Sequence, residues 1–228
     1  MRIVAISDTH GLHKSVRIPD GDILIHAGDL TSTGKTHEVA AALQWLKSLP
    51  HRHKIVVAGN HDWLFEKSPG EAAALMQDAG ITYLQDSGIV IDELSIYGSP
   101  WQPEFMQWAF NVPRGKLSKY WDHIPEGLDI LITHGPPYGV LDQSIPDGLT
   151  KYALANDQQH FAGSEHVGDD ELLSAVQRAQ PRIHVFGHIH GSYGTTRTKH
   201  TTFYNASICN EYYEPRNNPW VIDLSART

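Results

Sequence analysis

The chain has 228 residues, 40% of them apolar, with a formal net charge of −8 and no Lys/Arg-rich block. That length suits one α/β domain over 1–228, no apolar run nears the ~20 residues of a membrane span, and the acidic balance disfavours binding along a long polyanion. Cys209 is the sole cysteine and the first strand begins at Arg2 or Ile3, so the expectations are no internal disulfide, no leader and a cytoplasmic location.

Short apolar runs set the predicted strands. Ile3-Val4-Ala5-Ile6 leads into Asp8-Thr9-His10, Ile23-Leu24-Ile25 into Asp29, and Ile55-Val56-Val57-Ala58 into Gly59-Asn60-His61-Asp62. β-branched runs bounded by Gly read as buried strands. Glu38 to Leu49 has helical spacing and stops at Pro50. Ser68-Pro69-Gly70-Glu71 reads as a helix start with Ser68 capping and Glu71 completing a capping box, the helix ending near Gly80. Strands are then predicted at Ile81–Leu84, Ile89–Ile91 and Leu94–Tyr97, the last two joined by an Asp92-Glu93 turn. Ile130–Thr133 runs into His134, a helix spans Asp169 to Ala179, and Ile183–Phe186 runs into Gly187-His188-Ile189-His190. Closing strands fall at Thr202–Ala206 and Trp220–Asp223. The early alternation of strand and helix favours a parallel sheet; the middle and end favour a second, partly antiparallel one. Residues 99–125 and 135–168 lack periodicity and read as walls of a substrate site.

Five strand ends thus carry seven metal-competent side chains: Asp8, His10, Asp29, Asn60, His134, His188 and His190. Ligands of open α/β sheets bind outside the carboxyl ends of strands, so these residues are expected to converge. Two carboxylates, four imidazoles and an amide oxygen, with no thiolate, suit borderline or hard divalent metals such as Mn, Fe, Zn, Co or Ni. Seven ligands exceed the needs of one metal with an open position; two metals fit if Asp29 bridges them. Gly28 to Thr36 mimics a phosphate-binding loop, but five residues separate its glycines where that motif has four.

Asp8-x-His10, Gly28-Asp29, Gly59-Asn60-His61-Asp62, His134 and Gly187-His188-x-His190 resemble, in order, the five motifs of the calcineurin-like metallophosphoesterases. Gly21–Thr31, Tyr97–Pro103, Trp108–Asn111, Ile132–Pro137 and His184–His190 resemble, more narrowly, the MPPED-type metallophosphodiesterases. The resemblance implies a four-layer α/β/β/α sandwich of two mixed sheets flanked by helices. It implies that Asp8, His10, Asp29 and His190 hold one metal, and Asp29, Asn60, His134 and His188 a second. A bridging water would then attack phosphorus, with His61 facing the substrate as the catalytic acid or donor. The activity implied is hydrolysis of small phosphodiesters such as cyclic nucleotides. A phosphomonoesterase or broad phosphoesterase is one alternative, and a nucleotide-binding regulatory protein with weak activity another. The protein-phosphatase branch places Asp and Arg after its Gly-Asp, where this chain has Leu30-Thr31-Ser32-Thr33, so that activity is disfavoured and the partner of His61 is left open.

Trp101 is the expected stacking residue for substrate and His166 a further contact, alongside Asn60 and His61. Phe105, Trp108 and Phe110 read as core or interface aromatics. His26 and His184 read as packed or supporting residues. His51 and His53 read as a solvated turn, Asp62 as a brace for the backbone after His61, and His13, His37, His123, His160 and His200 as surface.

Overall fold

The structure, a computed structural model, describes residues 1–144 and 165–225. In chain order its first strands are β1 (Arg2–Ile6), β2 (Ile23–Ala27), β3 (His53–Val57), β4 (Thr82–Tyr83), β5 (Ser87–Ile91), β6 (Leu94–Ser99), β7 (Gln102–Pro103) and β8 (Asn111–Val112). There follow β9 (Ile130–Thr133), β10 (Gln143–Ser144), β11 (Glu165–His166), β12 (Ile183–Phe186), β13 (Gly194–Arg197), β14 (Thr202–Asn205) and β15 (Trp220–Asp223). The α-helices are α1 (Thr36–Ser48), α2 (Trp63–Lys67), α3 (Pro69–Ala79), α4 (Ser118–Trp121) and α5 (Asp170–Ala179).

One sheet has the order β15-β1-β2-β3-β4 and the other β13-β14-β12-β9-β6-β5. In the first, β1 to β4 run parallel and only β15 is reversed; in the second, β6, β9, β12 and β14 run parallel between antiparallel edges. Both faces of each central strand are covered, which is why the runs read as unbroken apolar segments rather than alternations. Ile3, Ile25 and Ile55 meet Ile130, Ile132 and Val185 in the layer between the sheets. Val4, Leu24 and Val56 turn the other way, onto Val39, Leu43 and Leu46 of α1 and Ala72 and Met76 of α3. Leu131, Phe186 and Phe203 meet Leu172 and Val176 of α5 and Trp121 of α4. The architecture is therefore the expected α/β/β/α sandwich. Fully burying each such Ile or Leu is worth roughly 1.5–3 kcal/mol, so this inner layer is the main brace under the loops at the strand tips.

Several local readings change. Trp220–Asp223 closes the first sheet against β1, not the second, because its partner lies at the far end of the chain. Thr82–Tyr83 likewise joins the first sheet, beside β3. Ser68 makes no side-chain cap, since it also ends α2, and Glu71 Oε1 instead accepts from Thr36 Oγ1 at 2.9 Å. Gly80 does end α3 in the left-handed conformation, φ 67°. Asp169 caps α5 by accepting from the peptide N–H groups of Glu171 and Leu172. His13 and His51 are buried rather than solvated, His13 beside Trp45 and His51 under Gly21. His37, His123 and His200 are exposed, and His160 lies outside the described residues. No helix among the described residues is long and apolar enough to cross a membrane.

Candidate metal centre

The tips of β1, β2 and β3 from one sheet and of β9 and β12 from the other meet at one end of the sandwich. The two sheets are stitched there by the backbone: Ser7 N–H donates to Ala206 O at 2.8 Å, and Ile208 N–H to Ser7 O at 2.9 Å. Asp8 and Asp29 are thereby brought from separate strands into one cluster, with Asp8 N–H on Gly28 O and His10 N–H on Asp29 O.

The turns that aim these side chains are strained. Asp8, His10, Asp29 and His188 hold φ values of 52°, 42°, 55° and 66°. Left-handed backbone at non-glycine residues is unfavourable and concentrates at functional sites. Neighbouring glycines give the room: a Cβ on Gly59 would strike Asp29 Oδ1, one on Gly187 would strike Asp8 Oδ2, and one on Gly28 would strike the His134 ring. Asp62 braces the same loops from behind. It accepts from the N–H groups of Gly59, Leu30 and Thr31 and from the Thr31 hydroxyl. Burial, then the nearby Asp29 charge, push its pKa up to about 6.

Among the described residues three overlapping groups of side chains could hold a cation: Asp8 with His10 and His190, His10 with Asp29 and His61, and Asp8 with Asp29 and His134. Asp29 Oδ2 lies 3.6 Å from His10 Nε2, 3.5 Å from His134 Nε2 and 4.0 Å from His61 Nε2. Asp8 Oδ1 lies 3.4 Å from His190 Nε2, which is 3.1 Å from His10 Nε2. Asn60 Oδ1 is 2.8 Å from His134 Nε2. His188 joins less directly: its ring packs 4.9 Å from that of His134, and its N–H donates to both oxygens of Asp8.

Proton accounting shows that these residues fit a cation. His134 Nδ1 is 3.0 Å from the Ala27 carbonyl, so its hydrogen belongs there and the lone pair of the neutral ring sits on Nε2. That lone pair faces two acceptors, Asn60 Oδ1 and Asp29 Oδ2. A proton or a metal ion on Nε2 satisfies both acceptors at once. His190 repeats it, with Nδ1 on Asn210 O at 3.0 Å and Nε2 turned towards Asp8 and His10. Burial opposes charging of His134, yet Asp29 and Asp8 outweigh it and hold its pKa up to about 9. His190 is likewise raised by Asp8 against its burial. Burial would raise both carboxylates, but the surrounding histidines hold Asp8 and Asp29 well below the usual range. Burial leads the fall of His10 to about 4 and of His188 to about 3, neighbouring histidines adding to it against the pull of Asp29 and Asp8, so these rings offer lone pairs.

The cluster floors a cleft of about 590 Å³. Asn60, His61 and His188 line it with Pro103, Phe105, Met106, Trp108, Arg114 and Tyr213, and so do Gln143, Ser144, Val167 and Gly168. Parts of both aperiodic stretches therefore do form its walls. His61 has a partner that the sequence did not reveal: its Nδ1 is 2.8 Å from the Ser32 carbonyl. Its ring also lies 4.1 Å from that of Trp108.

Trp101 is a correction. Its indole stacks on Tyr120 and donates to Asp86 at 2.7 Å, so it does not line the cleft; Trp108 does. His166 is also displaced from the expected role. Its Nδ1 is 2.6 Å from buried Asp142 and its ring tilts against Tyr138, while the next two residues face the cleft. His26 and His184 are buried supports, paired with Thr9 and Thr133. Sequence reasoning missed Ser207, whose hydroxyl donates to Asp8 Oδ2 at 2.5 Å, and the Asn210 carbonyl, because a serine or a peptide oxygen after a strand carries no distinctive signal.

Fold and site together define a class of hydrolase that works with divalent metals on phosphorus esters, and comparison with known proteins gives the family. The family model for calcineurin-like phosphoesterases matches residues 1–192. Human metallophosphoesterase domain-containing protein 1 is 44% identical over 247 residues, covering 98% of this chain and 71% of the relative. The Caenorhabditis elegans UPF0046 protein K07C11.7 is 35% identical, covering 100% of this chain and 77% of its own. The crystal structure of TT1561 from Thermus thermophilus superimposes with a TM-score of 0.57 at 15% identity, over 90% of this chain and 88% of that one, a likeness of fold. The chain belongs to the calcineurin-like phosphoesterases, and within them to the group of metallophosphoesterase domain-containing protein 1. It is thus a metal-dependent phosphoesterase, and its His and Asp clusters are candidates for the divalent ions that the family uses.

Proposed function

We propose that the protein is a phosphodiesterase for small esters, cyclic nucleotides first among them, working with a pair of divalent ions, Mn or Fe before Zn, Co or Ni. Asp8, His10, Asp29 and His190 would hold one ion and Asp29, Asn60, His134 and His188 the other. The observation that carries this is the place of Asp29, whose Oδ2 lies 3.6 Å from His10 Nε2 and 3.5 Å from His134 Nε2, between the two clusters. Ions held there would act as Lewis acids, neutralising phosphoryl charge and making water a usable nucleophile near neutral pH.

The chain's own groups do the rest. Ser32 O fixes the His61 Nδ1 hydrogen, so Nε2 faces the centre and, in the imidazolium form, donates a proton to the leaving oxygen. Trp108 limits rotation of that ring. Preference for a diester rests on the walls: Pro103, Phe105, Met106 and Trp108 can cover a second organic group, while Arg114 is the one arginine or lysine among the described lining residues to meet the second charge of a monoester. Glu104 and Glu211 at the cleft, with the net charge of −8, argue against a long nucleic acid. A cytoplasmic setting accords with the lone Cys209, which is buried and unpaired. The test is turnover of bis-p-nitrophenyl phosphate against p-nitrophenyl phosphate in Mn-loaded protein. Diester hydrolysis should be the faster; faster monoester hydrolysis would leave a phosphomonoesterase instead.

A further inference from the structure

Beyond β14 the chain makes a tight turn over residues 210–214 that has no assigned part in the chemistry. Asn210 organises it: its side-chain oxygen accepts from the N–H groups of Tyr212 and Glu214, both at 3.0 Å. The Asn210 carbonyl oxygen receives the Tyr213 N–H at 2.9 Å and faces His190 Nδ1 at 3.0 Å. One peptide oxygen thus ties the placement of Tyr213 to that of a candidate metal ligand.

Tyr213 itself sits in left-handed backbone, φ 59°, and stays 50% exposed, which a tyrosine with no task beyond packing has little reason to do. Its ring meets those of His10 and His190 edge-on at 4.8 and 4.9 Å and reaches within 6.4 Å of His61. It lines the cleft, and its hydroxyl makes no hydrogen bond with another described residue. The phenol therefore hangs beside the place where the candidate ligands and His61 face one another, with its donor uncommitted.

We infer that Tyr213 is a substrate-contacting residue whose hydroxyl donates to a non-bridging oxygen of the bound phosphoester. The inference rests on the phosphoester reading of the cleft. It adds a neutral donor to a site whose acidic groups, Asp29 and Glu211 among them, repel an anion.

The test compares parent and Tyr213→Phe, which keeps the ring, both loaded with Mn. Bound Mn is counted, inorganic phosphate is titrated by calorimetry, and kcat and KM are measured on bis-p-nitrophenyl phosphate. The expected result is unchanged Mn, phosphate bound about tenfold more weakly and kcat/KM lowered about tenfold or more. Phosphate affinity and kcat/KM both within about twofold of the parent would remove the hydroxyl from the site. Loss of Mn in Tyr213→Phe would make the residue a prop for the ligands and overturn the contact. A Mn-loaded parent that neither binds phosphate nor cleaves the diester would sink the underlying reading, and this contact with it.

Discussion

At the floor of the cleft Asp8, Asp29 and His134 are almost wholly buried, and each has fixed partners behind it. At the rim Phe105, Met106 and Tyr213 are half or more exposed. Floor residues are positioned by backbone: left-handed turns, glycines that leave no room for a Cβ, and carbonyl oxygens that dictate where each imidazole keeps its hydrogen. Rim residues are positioned by loop path, and of Trp101 and Trp108 it is Trp108 that reaches the site. The floor is preorganised for an ion and tolerates little change. Phe105 and Met106 at the rim can vary in residue type while the chemistry beneath them stays the same; Tyr213, which leans onto His10 and His190, cannot.

The hardest blow to that contrast is Asp29→Asn. One residue stands between both clusters, so this change should release both ions and lower turnover by ~10³-fold or more; elemental analysis showing two equivalents retained would break the shared-ligand model. His61→Ala comes next. It should leave metal content intact and reduce turnover by ~10²-fold, and an unchanged rate would take His61 out of catalysis. A third test sharpens the electrostatics. His134, raised to about 9 by Asp29 and Asp8 against its burial, must give up a proton to bind an ion. Metal affinity should therefore fall by about tenfold for each unit of pH below that value and level off above it. An affinity that stays flat from roughly pH 6 to roughly pH 9 would show that no protonated ring competes for the site. The smallest effect belongs to the rim: Phe105→Ala should shift stability by no more than about 0.5 kcal/mol and leave metal content alone, raising KM a few-fold. A large loss of metal there would erase the distinction between floor and rim.

The sequence made the floor legible because its constraints are local. A strand that must end at a ligand needs an apolar run, a small residue and a donor in succession, as in Val57-Ala58-Gly59-Asn60 and Phe186-Gly187-His188. Those patterns pointed to the two sheets, and of the seven expected ligands Asp8, His10, Asp29, His134 and His190 fall in the groups that could hold a cation. His51 was misread because nothing in Pro50-His51-Arg52-His53 shows that Gly21 will cover it. Ser68 was misread because a second helix, α2, ends where the cap was expected. The Ser32 carbonyl under His61 could not be foreseen, since a peptide oxygen has no residue-type signature.

Strand period, glycine placement and ligand chemistry are short-range properties, and they were enough to indicate two sheets with metal-competent side chains at their strand ends, while the resemblance of five ordered motifs pointed to the family. The pairing of Trp220–Asp223 with β1, the turn that swings Tyr213 against His10 and His190, and the choice of Trp108 over Trp101 were decided only in three dimensions. Each depends on contacts between segments far apart in the chain, whose geometry is fixed by what else must be buried.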